Sequence, residues 1–202
     1  VVYDRYTHKV GSEFGYSQPT VIHALVNPKM GTKMETVKRQ GIDIVFAVDI
    51  SKSMLAEDVA PNRLEKTKQI VSQIINQLGN DRVGIVGYAG SAYPVLPMTT
   101  DYSIAKMYLQ SMNTNMVSSQ GTAFSDAIQL AVDFFDVKDT SKLIVLISDG
   151  EDHGEGVEDA VELAKEKGVR IITIGVGTEK GGPIPLRDDR GTITSYKKDQ
   201  EG

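Results

Sequence analysis

Four stretches of this chain are nearly continuous in apolar, mostly β-branched residues: IDIVFAVD (42–49), RVGIVGYA (82–89), KLIVLISD (142–149) and VRIITIGVG (169–177). A strand with one wet face alternates apolar and polar residues. A strand covered on both faces does not, and such strands belong to parallel sheets flanked by helices. The segments between the runs have the helical period. In NRLEKTKQIVSQIINQLG (62–79), Asn62 and Glu65 stand at capping-box spacing just after Pro61. Leu64, Thr67, Val71, Ile74, Ile75 and Leu78 form one apolar face there, and Gly79 supplies the stop. Asp101 is placed to cap YSIAKMYLQSM, with Ile104, Tyr108 and Met112 aligned. GTAFSDAIQLAVDFFD (121–136) aligns Phe124, Ile128, Ala131 and Phe135, and GVEDAVELAKEKG (156–168) is acidic at its start and basic at its end, as the helix dipole favours. AYPVLPM (92–98) carries two prolines, which confines it to a sheet edge.

Strands alternating with helices of this length predict an α/β fold. It is Rossmann-like and doubly wound: a mostly parallel central sheet with one antiparallel edge strand and helices on both faces. The 202 residues suit one domain. The regular pattern spans 41–177. Residues 1–40 have no sustained period and read as an N-terminal arm or membrane-proximal linker. Residues 178–202, rich in Gly, Pro and charge, read as an extension with a hairpin turning at Asp188–Gly191.

Composition removes several function classes. The net charge is −5 and the basic residues are scattered, which argues against a nucleic-acid binder. The chain has no cysteine, so disulfides, thiolate metal sites and cysteine nucleophiles are excluded. No run reaches the ~18 apolar residues of a membrane-spanning helix. The chain begins at Val1 without a signal-peptide layout and reads as a fragment or mature piece. It has no phosphate-loop or nucleophile-elbow motif, and GVGTEKGG lacks dinucleotide-loop spacing.

In a doubly wound sheet, ligands bind outside the carboxyl ends of the strands. Three segments there carry oxygen donors. Asp49, Ser51 and Ser53 lie at every second position, and in an extended segment such residues point the same way. Gly121-Thr122 places a hydroxyl at the opening of a helix, and Asp149 ends a buried strand ahead of Gly150. Two carboxylates and three hydroxyls are hard ligands. They suit Mg²⁺, with Mn²⁺ or Ca²⁺ as alternatives, rather than zinc. A cation held largely by neutral hydroxyls retains affinity for a further anion, such as a carboxylate from a partner protein.

DISKS, followed by the GT and SDG segments in this order, resembles the metal-ion-dependent adhesion site of the von Willebrand factor A domain, whose pattern is Asp-x-Ser-x-Ser, then Thr, then Asp. The resemblance covers roughly 41–177 and all five positions match. It implies that Asp49, Ser51, Ser53, Thr122 and Asp149 bind the cation. Around these positions, Lys52, Met54, Gly121, Glu151 and Asp152 are the expected partner-binding rim, with a solvated acidic loop as the alternative for Glu151 and Asp152. DISKSMLAEDVAPNRLEKTKQIV, DRVGIVGYAGSAYPVLPMTTDY and QGTAFSDAIQLA are similar to the aerotolerance-associated Bat proteins, the BatB-like members especially. That resemblance implies membrane helices outside this chain, a periplasmic domain, and partners among other Bat proteins or MoxR-type AAA+ ATPases.

The leading expectation is a non-enzymatic, Mg²⁺-dependent protein-interaction module. A metal-dependent phosphohydrolase of the haloacid-dehalogenase type is the alternative, although Ser51 stands where such enzymes carry a second aspartate. A metal-free scaffold is a third reading. Singly, Ser53 and Thr122 also fit helix N-caps, and Asp149 before Gly150 also fits turn chemistry. His8, His23 and His153 receive no role. Lys52 stands where many A domains have glycine, and its ammonium either weakens cation binding or attracts an acidic partner.

Overall fold

Strand β1 (Ile42–Asp49) is the middle strand of the main sheet, and every one of its residues after Ile42 is buried. The computed structural model describes residues 41–117, 123–137, 139–150, 156–187 and 192–197. After β1 the chain makes a 3-10 turn over Lys52–Leu55 and enters α1 (Arg63–Gln77). Strands β2 (Arg82–Tyr88) and β3 (Ala92–Thr99) follow, then α2 (Tyr102–Ser111), a 3-10 turn at Thr114–Met116 and α3 (Phe124–Asp133). The remaining elements are β4 (Ser141–Ser148), α4 (Val157–Glu166), β5 (Val169–Gly175), β6 (Pro185–Arg187) and β7 (Ile193–Tyr196).

Five strands form one sheet in the order β3-β2-β1-β4-β5. β1 pairs in parallel with β2 and β4, β4 pairs in parallel with β5, and β3 runs antiparallel to β2 at the edge. The sheet is therefore the mostly parallel one that the apolar runs predict, with Pro94 and Pro97 on the antiparallel edge strand. The chain lays down β1, β2 and β3 toward one edge, then returns to place β4 on the other side of β1. The strand order reverses between β1 and β4, and a crevice opens at the carboxyl ends of such a pair. Val48 is the register partner of Ile147, so Asp49 and Ser148 end up side by side at that crevice.

The alternation of β1 divides the core in two. Ile44, Phe46 and Val48 pack with Leu64, Val71 and Ile75 of α1 and Ala105 and Leu109 of α2. Val45 and Ala47 pack on the other face with Ala127, Ile128 and Ala131 of α3 and Ala160 and Ala164 of α4. Each fully buried Phe, Ile or Val on these faces contributes about 1.5–3 kcal/mol over leaving it exposed. The small alanines bring α3 and α4 close to the sheet and to each other.

The caps at Asn62 and Asp101 form as the sequence predicts. Asn62 accepts from the Glu65 backbone N–H, and Asp101 accepts from those of Ser103 and Ile104. Of the face expected on α2, Met112 is fully buried but the other two residues are not. Ile104 and Tyr108 are about two-fifths exposed, while Ala105 and Leu109 are fully buried. Ile104, Ala105, Met107, Tyr108 and Leu109 leave little polar surface on this helix to mark an outside, and close packing selects the face that carries alanine. Beyond β5, β6 and β7 pair antiparallel, with Pro185 opposite Tyr196. The turn at 188–191 and the expected N-terminal arm lie outside the described residues.

Candidate metal centre

Asp49 closes β1 with no solvent exposure. Both of its carboxylate oxygens are engaged: Oδ1 accepts from the Ser51 backbone N–H at 2.8 Å, and Oδ2 accepts from Ser148 Oγ at 2.8 Å. Ser148 Oγ in turn accepts the Gly150 N–H at 3.1 Å. Burial, with a smaller push from the nearby Asp149 charge, raises the Asp49 carboxyl to about 6 against the lowering effect of the bonds from Ser51 and Ser148. The site thus opposes its own negative charge, which a bound cation would offset.

Ser51 Oγ and Ser53 Oγ are hydrogen-bonded at 2.8 Å. The two hydroxyls meet, but not for the reason the spacing suggests. The backbone is still extended at Ser51 but leaves that geometry at Lys52, and the 3-10 turn over Lys52–Leu55 brings Ser53 back to Ser51. The same turn overturns one expectation. Met54, assigned to the partner-binding rim, points inward and is fully buried in the α1 and α2 core. Lys52 is exposed on the turn, as a rim residue would be.

Asp149 follows β4 with its side chain entirely buried. Arg63 Nη1 donates to its Oδ2 at 2.8 Å, while Oδ1 is buried with no hydrogen-bond partner among the described residues. Gly150 next to it has φ +96°, a left-handed conformation that glycine adopts without strain. The expected ligand Thr122 and the expected rim residues Gly121, Glu151 and Asp152 lie outside the described residues. Adjacent Ala123 is fixed, its N–H bonding Ala89 O at 2.7 Å.

The crevice is framed by its own backbone. Ile50 N–H bonds Tyr88 O at 2.8 Å, Val176 N–H bonds Ser148 O at 2.9 Å, and the buried Tyr88 hydroxyl donates to Ile147 O at 3.0 Å. These bonds join the ends of β1, β2, β4 and β5, so the carboxylates sit on a fixed base. Among the described residues, no three His, Asp or Glu side chains converge. Two carboxylates and the serine hydroxyls therefore define the donor set, and an orphaned, buried carboxylate oxygen beside them fits a hard divalent cation.

Three residues at the site escaped the sequence reading. Ser148 was visible only as the neighbour of Asp149. Arg63 and Asp58 join in a fork: Nε donates to Oδ1 at 2.8 Å and Nη2 to Oδ2 at 2.9 Å. The available signal was an arginine in the first turn of α1, where the helix dipole disfavours a cation.

A profile of the von Willebrand factor type A domain matches residues 43–187. A UPF0353 protein of Mycolicibacterium paratuberculosis is 33% identical over 162 residues, covering 74% of this chain and 49% of that protein. The chain thus spans about half the length of the curated relatives it matches. Among solved structures, the conserved hypothetical protein BatB of Bacteroides thetaiotaomicron is 44% identical with a TM-score of 0.74, over 80% of this chain and 78% of that one. An aerotolerance-related membrane protein of Bacteroides fragilis is 38% identical with a TM-score of 0.70, over 80% and 83%. With the profile covering most of its length, the chain belongs to the von Willebrand factor type A domain family.

Proposed function

We propose that this domain is a non-enzymatic protein-interaction module that works through a bound Mg²⁺. Asp49, Ser51, Ser53 and Asp149, joined by Thr122, would hold the ion. The observation that carries this reading is the buried Oδ1 of Asp149, beside the Asp49 carboxylate and without a hydrogen-bond partner among the described residues. A carboxylate oxygen in that position costs free energy unless something positive reaches it. When bound, the ion supplies a Lewis-acidic point that captures an Asp or Glu side chain of a protein partner. The chain's residues hold it in place, and exposed Lys52 adds positive charge beside the approach. Mn²⁺ is an expected substitute, since it shares the preference for hard oxygen ligands.

We place the full-length protein at a membrane, with this domain on the periplasmic side, and its partners among other Bat proteins or a MoxR-type AAA+ ATPase system. Similarity to the aerotolerance-related membrane protein supports the membrane association. Among the described residues no helix is long and apolar enough to cross a membrane, so an anchor would come from elsewhere in the protein.

The test is titration calorimetry with MgCl₂ and MnCl₂, followed by capture of partners from detergent-solubilised membranes with and without EDTA. Wild type binds one ion and retains its partners only without chelator. Asp49→Ala and Asp149→Ala keep the fold and lose both properties. Partner capture that survives EDTA and both substitutions contradicts the proposal.

A further inference from the structure

We infer that Arg63 is a positioning residue that limits Asp149 to a single metal-facing oxygen and thereby selects Mg²⁺ over Ca²⁺. The inference rests on the cation reading above and concerns the residue behind the ligands. Arg63 Nη1 holds Asp149 Oδ2 at 2.8 Å, which leaves only Oδ1 unpartnered. Mg²⁺ takes six ligands in a tight octahedron. Ca²⁺ takes about six to eight and readily accepts both oxygens of one carboxylate. A carboxylate with one oxygen already claimed suits the smaller ion.

The position of Arg63 is otherwise hard to account for. It is the first residue of α1, where the helix dipole opposes a cation. Its side chain is only 11% exposed, and its charge lies beside a site that should attract cations. Asp58 resolves the conflict by taking the other side of the guanidinium as a two-bond fork. Asp58 is itself fixed by Thr178, whose N–H and Oγ1 donate to Oδ2 at 2.7 Å and 3.1 Å. With its charge offset by Asp58, Arg63 orients Asp149 without cancelling the pull of the site on a divalent ion. The surrounding chain is shaped to this arrangement: a Cβ at Gly177 would lie 3.2 Å from Arg63 Nε, and one at Gly182 would lie 2.8 Å from the Asp58 backbone nitrogen.

The experiment is titration calorimetry of the whole 202-residue chain with MgCl₂ and with CaCl₂, read as the ratio of the two affinities. Partners that orient a metal ligand change metal affinity by about 10–100-fold when removed. In Arg63→Met, Asp149 gains a second free oxygen, and the Mg²⁺-to-Ca²⁺ ratio falls by about tenfold or more. Arg63→Lys keeps a charge but no planar fork, so it cannot serve Asp58 and Asp149 together, and the ratio falls in it too. Circular dichroism establishes which variant is folded, and Arg63→Lys decides if Arg63→Met is not. A merely structural role for Arg63 weakens both ions together and leaves the ratio unchanged in a folded variant, which overturns this inference alone. A wild-type chain that binds neither ion overturns the cation reading and this inference with it.

Discussion

Ser148 Oγ donates to Asp49 Oδ2 at 2.8 Å, joining the last residues of two strands that are 99 positions apart in the chain. The bond follows from the parallel register of β1 and β4, which sets these residues side by side at the point where strand order reverses. It gives a buried carboxylate one of its two partners. Ser148→Ala removes it without adding volume, so Asp49 Oδ2 loses its donor away from water. A stability loss of about 1–3 kcal/mol is expected in denaturant unfolding of the cation-free protein. Cation affinity should fall by about tenfold or more, because the ligand loses its orienting partner. Unchanged values of both quantities would show that the bond positions nothing.

The other end of β1 provides a control. Asp43, 1% exposed, receives Arg82 Nε at 2.8 Å, Arg82 Nη2 at 2.6 Å and Thr140 Oγ1 at 2.6 Å. Arg82→Met leaves that buried carboxylate without its guanidinium and should cost about 3–5 kcal/mol. Asp136, which shares Arg82 from the exposed side, contributes little, and Asp136→Ala should leave the unfolding midpoint close to that of wild type. Six residue steps along the strand, roughly 20 Å, separate Asp43 from Asp49. Mg²⁺ affinity measured below the unfolding transition should therefore stay at the wild-type value in Arg82→Met. A large drop there would mean that the sheet transmits strain to the site.

How much of this was legible in the sequence depends on the kind of evidence each element leaves. The apolar runs declare β1, β2 and β4 because strands buried on both faces cannot hide their composition. The run over 169–177 reads the same way, yet β5 is an edge strand covered on one side only, and Ile172 is 51% exposed. Pro94 and Pro97 declare an edge because a central strand needs every N–H. Asn62 and Asp101 declare caps because their chemistry is local. The face of α2 was not legible, since its apolar residues nearly encircle the helix and only packing against the sheet chooses Ala105 and Leu109 over Ile104 and Tyr108. Met54 misled for a related reason. Its neighbours are ligand candidates, yet a 3-10 turn rotates it into the core. Asp49, Ser51, Ser53 and Asp149 were legible as a set of oxygen donors at strand ends. Their partners Arg63 and Ser148 were not, because contacts across 86 and 99 positions leave no local pattern.

Tyr93 offers a gain in stability. It sits opposite Gly87 across the β2–β3 pair, and its ring occupies the space a Cβ at Gly87 would need, at 2.7 Å from Oη. Its hydroxyl is buried with no hydrogen-bond partner among the described residues, and burial pushes it up to about 12. Tyr93→Phe removes an unsatisfied polar atom and keeps the ring. Stability should hold or rise by about 1 kcal/mol in thermal or denaturant unfolding. Gly87→Ala should do the reverse, losing about 1–3 kcal/mol as the ring is forced out of its place. A loss of more than about 1 kcal/mol in Tyr93→Phe would reveal a partner for the hydroxyl.

The fork between Arg63 and Asp58 makes a prediction about acid. The bonds from Arg63 hold the Asp58 carboxyl well below the usual carboxylate range, with Thr178 adding to them. A folded-state value below the unfolded one means that the unfolded chain takes up the proton first. The stabilisation from Asp58 is therefore fully present above the ordinary carboxylate value of about 4, and it is lost progressively as pH falls below that toward the depressed value. Carbon-13 NMR of the side-chain carboxyl checks this directly: in the wild-type protein the Asp58 signal should remain that of a carboxylate at pH 3. In Arg63→Met, where among the described residues only Thr178 still donates to it, the midpoint should move back up toward the ordinary range. Stability curves should converge accordingly, with wild type and Asp58→Asn differing at pH 6 and drawing together as the acid limb is descended. An Asp58 signal that titrates near pH 4 in the wild-type protein would mean that the fork does not hold in solution, and with it the orientation of Asp149.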